Sequence, residues 1–273
     1  MIWAIYRIHY GTDFIIKSVN SIIDNVDKIY IFYSEEPWVK TDKINYKNQL
    51  IEFPENPENL KKFLLKNFQN NKIIMRKYEC NTPLNQYGDL YKIVENEEKK
   101  RAKFVLFMEP DMIFGKNQLK ILKLELTLKF WLKNITTKQI ETWKFNKDNI
   151  NNFRIPLRKR RAGPVLWHIN RNKKIQTEFS GCAIDKKKKF SNFVKILNMG
   201  FSLNKESMRY KHLLAIASAT VIGDSKTDEM WYENKWLNWN PDTLNLDVSE
   251  GNQKKIKRAY KFKIPQKYNV YLK

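Results

Sequence analysis

Two carboxylates end an unusually apolar stretch of the chain. The run FVLFM (104–108) is followed by Glu109, Pro110 and Asp111. Acids two residues apart, with a stiff proline between them, can direct both carboxylates at one hard cation such as Mg²⁺ or Mn²⁺, and that cation could hold a diphosphate. An acid-x-acid triplet is also common at the polar end of a strand. The residues therefore predict either a metal and phosphate site or a plain strand end.

The surrounding elements favour the first interpretation. Apolar, strand-like runs alternate with helix-compatible stretches in the order 2–8, 14–23, 28–33, 58–68, 72–78, 86–101 and 103–108. Four strands alternating with helices predict a mostly parallel, doubly wound sheet with helices on both faces. The carboxyl ends of parallel strands form the ligand crevice in such a sheet. Glu109 and Asp111 are therefore expected to face that crevice.

The second half of the chain has a different pattern. The segment LKLELTLKF (122–130) alternates apolar and polar residues, which predicts a half-solvated strand. Further strands are predicted on either side of an Arg-Ala-Gly-Pro turn within 152–170 and at 177–185, with helices at 204–219 and 226–237 and a short basic helix ending at Pro265. No long linker is present. We predict an α/β half (1–115) and an elaborated C-terminal half (116–273) packed on it as a single domain.

The net charge of +22 predicts attraction to an acidic partner: nucleic acid, an anionic membrane surface or a phosphorylated small molecule. Compositional bias is an equal explanation, because Lys far outnumbers Arg, the better residue for bidentate phosphate contacts.

Cys80 and Cys182 are too few for a disulfide framework, and no signal-peptide core or membrane span is evident. We expect a cytoplasmic protein. Its basic runs RKRRAG (158–163), DKKKKF (185–190) and QKKIKR (253–258) are either solvated or in peripheral contact with a membrane.

Three stretches together resemble the GT-A glycosyltransferases of the family 2-like group. They are YRIHYGTDFIIKSVNSIIDNVDKIYIF (6–32), FVLFMEPDMIF (104–114) and WYENKWLNWNP (231–241). The resemblance implies a GT-A (Rossmann-like) fold and transfer of a sugar, with inversion, from a nucleotide-diphosphate donor to a glycan, protein or lipid hydroxyl. It also implies Mn²⁺ or Mg²⁺ as the cofactor.

The resemblance also implies roles for individual residues. Tyr6 and Arg7 would line the nucleotide pocket, Asp111 would coordinate the metal, and Glu109 would contact the ribose, the metal or a metal-bound water. Glu109 stands where the family more often has Asp. Glu35 follows the second strand, where the family often has an Asp that holds the base.

Asp89 would lie near the start of a helix beside the nucleotide. An acid in the first turn of a helix also stabilises the helix dipole without any ligand.

An inverting transferase needs a general base to take the proton from the acceptor hydroxyl. Asp228 and Glu229 are the candidates, with Trp231 and Trp236 as a face on which a sugar could stack. A helix-terminal carboxylate and core tryptophans are the alternative.

The histidines and one further acid are candidates for an additional metal ligand. His9 and His168 are predicted to be structural, because both lie in strand-like contexts. His212 and Asp247 remain open as further ligands.

Two other functions are compatible with the sequence. A nucleic-acid-binding protein without catalysis would explain the charge and the aromatic residues interleaved with Lys and Arg, but it leaves the acidic pair unexplained, so no nucleic-acid partner is expected. Nucleotidyl transfer on a similar sheet would use the same metal chemistry. No GxxxxGK loop occurs, which disfavours P-loop chemistry.

Overall fold

The structure of the chain is a computed structural model that describes residues 1–34, 45–46, 49–50, 57–78, 86–98, 102–146, 152–156, 162–171, 189–222, 230–246 and 258–272. The strands are β1 (Ile2–Ile8), β2 (Lys28–Tyr33), β3 (Asn45–Tyr46), β4 (Gln49–Leu50), β5 (Ile73–Lys77), β6 (Phe104–Met108), β7 (Met112–Ile113), β8 (Asn134–Trp143), β9 (Phe153–Arg154), β10 (Ala162–His168), β11 (Phe190–Phe201) and β12 (Tyr260–Lys261). The helices are α1 (Ile15–Asn20), α2 (Pro57–Asn67), α3 (Gln86–Glu98), α4 (Gln118–Leu128), α5 (Lys205–Ile222) and α6 (Gln266–Leu272).

The centre of the sheet is parallel. β1 pairs in parallel with β2 on one side and with β6 on the other, and β5 extends the sheet beyond β2. The chain thus moves outward from β1 to β2 and β5 and then returns to the opposite side of β1 as β6. This reversal is a topological switch point, where α/β sheets bind their ligands. The predicted α/β sheet is confirmed, and the strands of its first half are parallel.

Antiparallel strands complete the sheet. β10 lies antiparallel between β6 and β8, and β9 and β12 continue the sheet beyond β8. β11 runs parallel to β8 and antiparallel to the short β7. The strand that follows Asp111 is therefore joined directly to the second half of the chain.

Helices cover both faces of the sheet, as predicted. On β1, Ile2, Ala4 and Tyr6 point into a core cluster shared with α1, α2 and α4. Trp3 and Ile5 point into a second cluster shared with α3. This alternation follows from the two-residue period of a strand whose two faces are both buried.

A third apolar cluster lies under the second half of the chain and combines β11, α5, α6 and the π-helical turn at Tyr232–Leu237. The predicted helix at 204–219 is confirmed as α5.

No described helix has both the length and the apolar character needed to cross a bilayer. The division of the chain at residue 115 stays a prediction.

The predicted strand at 122–130 is wrong, because these residues belong to helix α4. Leu119, Leu122 and Leu126 are buried at helical spacing, whereas Leu124 and Leu128 on the other side are exposed. Leu122 and Leu126 are buried, and Leu124 and Leu128 are exposed halfway between and beyond them. Leucine therefore occurs at every second position, although each side of the helix repeats every four residues. The alternation was therefore real, but it marked two faces of a helix.

Two smaller predictions also fail. The described residues of the predicted Arg-Ala-Gly-Pro turn do not form a turn. Gly163 and Pro164 lie within strand β10, where the pairing of β10 with β8 is irregular. The described part of the predicted basic helix before Pro265 contains the short strand β12, and the helix α6 begins after that proline. The predicted strand at 177–185 lies outside the described residues.

Candidate active site

A cavity of about 290 Å³ opens at the carboxyl ends of β1 and β6. Its position is the switch point of the sheet, where two neighbouring strands are followed by chain segments that diverge. Its walls are largely polar and charged. The lining residues are Arg7, His9, Tyr10, Gly11, Glu109, Pro110, Asp111, Glu141, Asn198, Leu203 and Lys211.

The end of β1 sends Arg7 toward the cavity and Tyr6 away from it. Neighbouring residues of a strand point to opposite faces, so only one of the two can line a given crevice. Tyr6 is fully buried, and its hydroxyl lies 3.1 Å from Ser18 Oγ in the core beneath α1. The prediction that Tyr6 lines the nucleotide pocket is therefore wrong. Arg7 lines the cavity, and its role in binding a nucleotide stays a prediction.

The segment that carries the two carboxylates is held in place from both sides. Ser18 Oγ on α1 donates a hydrogen bond of 2.5 Å to Met112 O, and Met199 N on β11 donates one of 2.8 Å to Asp111 O. A further bond of 3.2 Å from Met112 N to Glu109 O closes the turn. Glu109 and Asp111 both line the cavity, so the pair is more than a solvated strand end. Its metal-binding role stays a prediction.

β8 and β11 bring two polar residues to the cavity that sequence reasoning missed. Glu141 and Asn198 are register partners in the parallel pair, and Asn198 also pairs with Met112 of β7. Asn198 Nδ2 donates hydrogen bonds to Gln139 Oε1 at 2.8 Å and to Glu141 Oε1 at 3.4 Å. Glu141 is only 1% exposed. The sequence signal was a glutamate within an otherwise β-type run, IETW (140–143), which composition alone cannot assign to a site.

Gly200 lets three polar groups converge at one point. A Cβ at this position would lie 2.8 Å from Asp111 Oδ2, 2.9 Å from Asn198 Oδ1 and 2.9 Å from Lys211 Nζ. Lys211 extends from α5 and donates a hydrogen bond of 3.1 Å to Gly200 O. The missing side chain therefore leaves room for a carboxylate and an ammonium group beside each other in the wall of the cavity. Lys211 was not predicted from the sequence.

At the edge of the cavity, His9 connects the residue after β2 with helix α5 through hydrogen bonds. Its Nδ1 donates a hydrogen bond of 3.1 Å to Ser34 O after β2, and its Nε2 accepts one of 2.8 Å from the Tyr210 hydroxyl on α5. Burial, together with the charge of Arg7, lowers the pKa of His9 to about 4, so the ring is neutral at pH 7. Both nitrogens are engaged, which fits the predicted structural role.

The lowered pKa of His9 predicts a specific loss of stability in acid. The unfolded chain protonates this ring below its ordinary pKa of about 6.5, whereas the folded protein does so only near 4. The stabilisation is thus complete above pH 6.5 and is lost as the pH falls toward 4, with a total of roughly 3 kcal/mol. Urea denaturation at several pH values measures this change. In His9→Gln, whose amide does not titrate, this part of the pH dependence should vanish; an unchanged profile would contradict the assignment.

Several other predicted residues lie elsewhere. Asp89, in the first turn of α3, is not among the residues that line the cavity; it is partly exposed and lies 3.7 Å from Lys92 Nζ. This position fits the helix-dipole interpretation rather than nucleotide binding. The predictions for Glu35, Asp228, Glu229 and Asp247 lie outside the described residues.

The predicted sugar-stacking tryptophans are core residues. Trp231 and Trp236 are 1% and 5% exposed, and Trp236 Nε1 donates a hydrogen bond of 3.0 Å to Phe201 O. His212 is also buried, and the centroid of its ring lies 5.5 Å from that of Trp231. This position does not support His212 as a metal ligand. His168 packs at 4.9 Å against Phe104, as a structural histidine does. Trp231 and Trp236 therefore stabilise the fold rather than offer a binding face.

The described residues contain no group of three or more His, Cys, Asp or Glu side chains placed to hold a metal ion. The prediction of a metal site depends on the two acids after β6, which both line the cavity. The carboxylate and amide oxygens of the cavity are hard donors, which suit Mg²⁺ or Mn²⁺ better than a softer metal.

No protein-family model matches the chain, and no curated protein matches it significantly. Similar solved structures include residues 1–349 of S. aureus TarS, with 9% identity, a TM-score of 0.40 and coverage of 79% of this chain. This chain spans 65% of that TarS chain. Another is 4-diphosphocytidyl-2C-methyl-D-erythritol synthase from Anaerococcus prevotii, with 12% identity, a TM-score of 0.40 and coverage of 81% and 98% of the two chains. Structural similarity at a TM-score of 0.40 is too low to indicate a function. The proposed function therefore rests on the residues of the cavity.

Proposed function

We propose that this chain is a metal-dependent glycosyltransferase. It would move a sugar, with inversion, from a nucleotide-diphosphate donor to the hydroxyl of a glycan, protein or lipid. The observation that supports this proposal is the meeting of carboxylates and cations in one cavity at the switch point of the sheet. A diphosphate bound with a divalent ion needs both kinds of group, because the ion requires oxygen ligands and the remaining phosphate charge requires cations.

The residues present fit a divalent ion. Mg²⁺ is commonly held by one or two protein carboxylates, with phosphate oxygens and water completing its shell. Asp111 and Glu109 supply that number at a turn fixed by Ser18 and β11. When bound, the ion would stabilise the negative charge that builds on the departing diphosphate.

Arg7 and Lys211 would bind the phosphates. The guanidinium of Arg7 offers a planar fork for two phosphate oxygens, and the ammonium of Lys211 acts as a point charge. Both side chains are partly buried at the cavity wall, where charges interact more strongly than in bulk water. Asp111 Oδ2 and Lys211 Nζ lie 2.8 and 2.9 Å from the position of a Cβ at Gly200, so the ammonium group offsets part of the charge of this partly exposed carboxylate.

Asp228 and Glu229 remain the proposed general bases. Their chain segment follows α5, the helix that carries Lys211 to the cavity. In the proposed reaction one of these carboxylates accepts the proton of the acceptor hydroxyl as that oxygen attacks the anomeric carbon.

Nucleotidyl transfer is the second candidate, since the same carboxylates and cations would serve it. The two reactions differ in the bond that breaks. Sugar transfer releases a nucleoside diphosphate, whereas nucleotidyl transfer from a nucleoside triphosphate releases pyrophosphate. The identity of the released phosphate therefore decides between them.

A thermal-shift screen tests the proposal at the binding step. UDP, GDP, CDP and dTDP are each added with and without Mn²⁺, because any ligand that binds only the folded state raises the melting temperature. We expect one nucleotide to raise it, and to raise it further with Mn²⁺. The nucleotide sugar of that base should then be hydrolysed slowly by the protein in the presence of Mn²⁺. If none of the four raises the melting temperature with Mn²⁺ present, the proposal fails.

Gly200→Ala should impair function more than stability. The added methyl group would displace Asp111 Oδ2, Asn198 Oδ1 and Lys211 Nζ, which are movable ends of side chains. We expect turnover of the nucleotide sugar to fall by about tenfold or more, since small misplacements of reacting groups are costly, and the melting temperature to change little.

Gly163→Ala is the control for this variant. Gly163 lies within β10 and is not among the residues that line the cavity, and its Cβ would overlap Thr137 Oγ1. Turnover at a temperature where this variant is folded should be retained while its melting temperature falls. Wild-type turnover in Gly200→Ala would contradict the proposed arrangement.

A further inference from the structure

An exposed apolar stripe runs along helix α4 and continues beyond its end. Ile121, Leu124 and Leu128 recur at spacings of three and four residues, so their side chains share one side of the helix. They are 40%, 57% and 67% exposed. Phe130 and Trp131 follow directly, at 73% and 66% exposed, with their rings in edge-to-face contact at 5.2 Å.

Phe193 of β11 lies beside this stripe. Glu125, whose Cβ is next to the stripe on α4, accepts hydrogen bonds from Ser191 Oγ and Asn192 N. These bonds place the start of β11 against the same side of the helix, and Phe193 there is 68% exposed while Val194 is buried. Half of the large apolar side chains that are exposed in the described part of the chain therefore belong to this one region. We call it the α4 patch, defined by Ile121, Leu124, Leu128, Phe130, Trp131 and Phe193.

The exposed charged residues of the described segment from Lys116 to Lys133 are all basic. Lys116, Lys120, Lys123 and Lys133 are exposed along the same segment. The single acid between Lys116 and Lys133 is Glu125, which is buried and paired at 2.6 Å with Lys129. A contiguous exposed apolar surface marks an interaction site, and its basic border restricts the partner to an anionic one.

We propose that the α4 patch docks the protein on an anionic lipid bilayer. A helix that lies in the membrane interface combines leucines, phenylalanine and tryptophan on one side with lysines at the border. Tryptophan belongs at the level of the lipid headgroups, and each lysine near an anionic surface adds to the attraction. The α4 patch has all of these features, and its adjacent aromatic residues Phe130 and Trp131 are both largely exposed and so available for insertion. The docking does not depend on the function of the cavity.

Vesicle co-sedimentation tests the proposal. The full chain is mixed with vesicles of phosphatidylcholine alone, or of phosphatidylcholine with phosphatidylglycerol. We expect the protein to sediment with the anionic vesicles and much less with the neutral ones, and the binding to weaken as salt is added. Phe130→Ser together with Trp131→Ser should lower the apparent affinity for the anionic vesicles by about tenfold or more. Lys120→Gln together with Lys123→Gln should lower it by about tenfold at low salt.

Two control variants test whether vesicle binding depends on the α4 patch or on exposed apolar residues in general. Leu65→Ser and Leu244→Ser change leucines that are 51% and 58% exposed on other parts of the surface, and both should leave vesicle binding unchanged. The melting temperatures of all variants show that each is folded. Failure of the wild type to bind anionic vesicles, or equal binding by the Phe130/Trp131 variant, overturns the proposal. A dimer in light scattering that the same double substitution dissociates also overturns it, because the α4 patch would then bind a second copy of the chain.

Discussion

Asp111→Asn should lower the turnover of the nucleotide sugar by roughly 100- to 1,000-fold, since a bound metal contributes several kcal/mol of charge stabilisation. The amide keeps the size of the side chain but removes the negative charge that a divalent ion requires. The fold should survive, because hydrogen bonds to main-chain atoms of Asp111 and Met112 hold the turn and are kept in this variant. Turnover and the Mn²⁺ concentration at half-maximal rate are the quantities to measure.

Asp89→Asn is the matched control for that variant. It makes the same chemical change at a carboxylate that is partly exposed on α3 and paired with Lys92. Its turnover should equal that of the wild type. Equal losses in both variants, or none in Asp111→Asn, would mean that the carboxylate after β6 holds no metal.

Lys211→Gln should weaken binding of the nucleoside diphosphate by about 10- to 100-fold, because a hydrogen bond to a charged phosphate contributes roughly 1.5–3 kcal/mol. Lys211 Nζ lies at the cavity wall and is anchored by its bond to Gly200 O, so it is positioned before the ligand arrives. Isothermal titration of the nucleotide identified by thermal shift measures the change directly.

Lys205→Gln serves as the control on the same helix. Lys205 is exposed in the first turn of α5 and lies outside the cavity. A loss of affinity in Lys205→Gln as large as that in Lys211→Gln would indicate a general effect of net charge. The same affinity in Lys211→Gln as in the wild type would exclude a phosphate contact.

The first half of the fold was accessible from the sequence because its signals are local. Strands such as KIYIFY (28–33) are buried on both faces and read as continuous apolar runs, and the helices between them have clear spacing. The acidic pair could be placed at the ligand edge for the same reason, since it directly follows one of these strands. Arg7 was predicted from the resemblance of the first segment rather than from a local pattern, and it lines the cavity near the end of β1.

The rest of the site depends on contacts between distant segments. Glu141, Asn198 and Lys211 come from β8, β11 and α5, and their meeting with Asp111 requires the pairing of β11 with both β7 and β8. No local pattern encodes that pairing. Tyr6 was misassigned because a resemblance over a whole segment does not say which of two neighbouring strand residues faces the crevice.

The helix α4 shows a different limit. Its leucines serve both the core and the surface, so the usual contrast between an apolar and a polar face is weak, and the alternation suggested a strand. The exposed leucines that misled the prediction belong to the α4 patch, where a bilayer rather than the protein core would cover them. Local rules failed at a surface that we propose to be functional.

Binding of Mn²⁺ in the presence of the nucleotide tests the central claim most directly. The electron paramagnetic resonance signal of free Mn²⁺ decreases when the ion binds, so it reports the bound fraction without any enzymatic assay. With the nucleoside diphosphate identified by thermal shift, the wild type should remove more Mn²⁺ from solution than the nucleotide alone does, and Asp111→Asn should lose most of this excess. Equal depletion by the two proteins, or none beyond that of the nucleotide alone, would contradict a metal site at the end of β6.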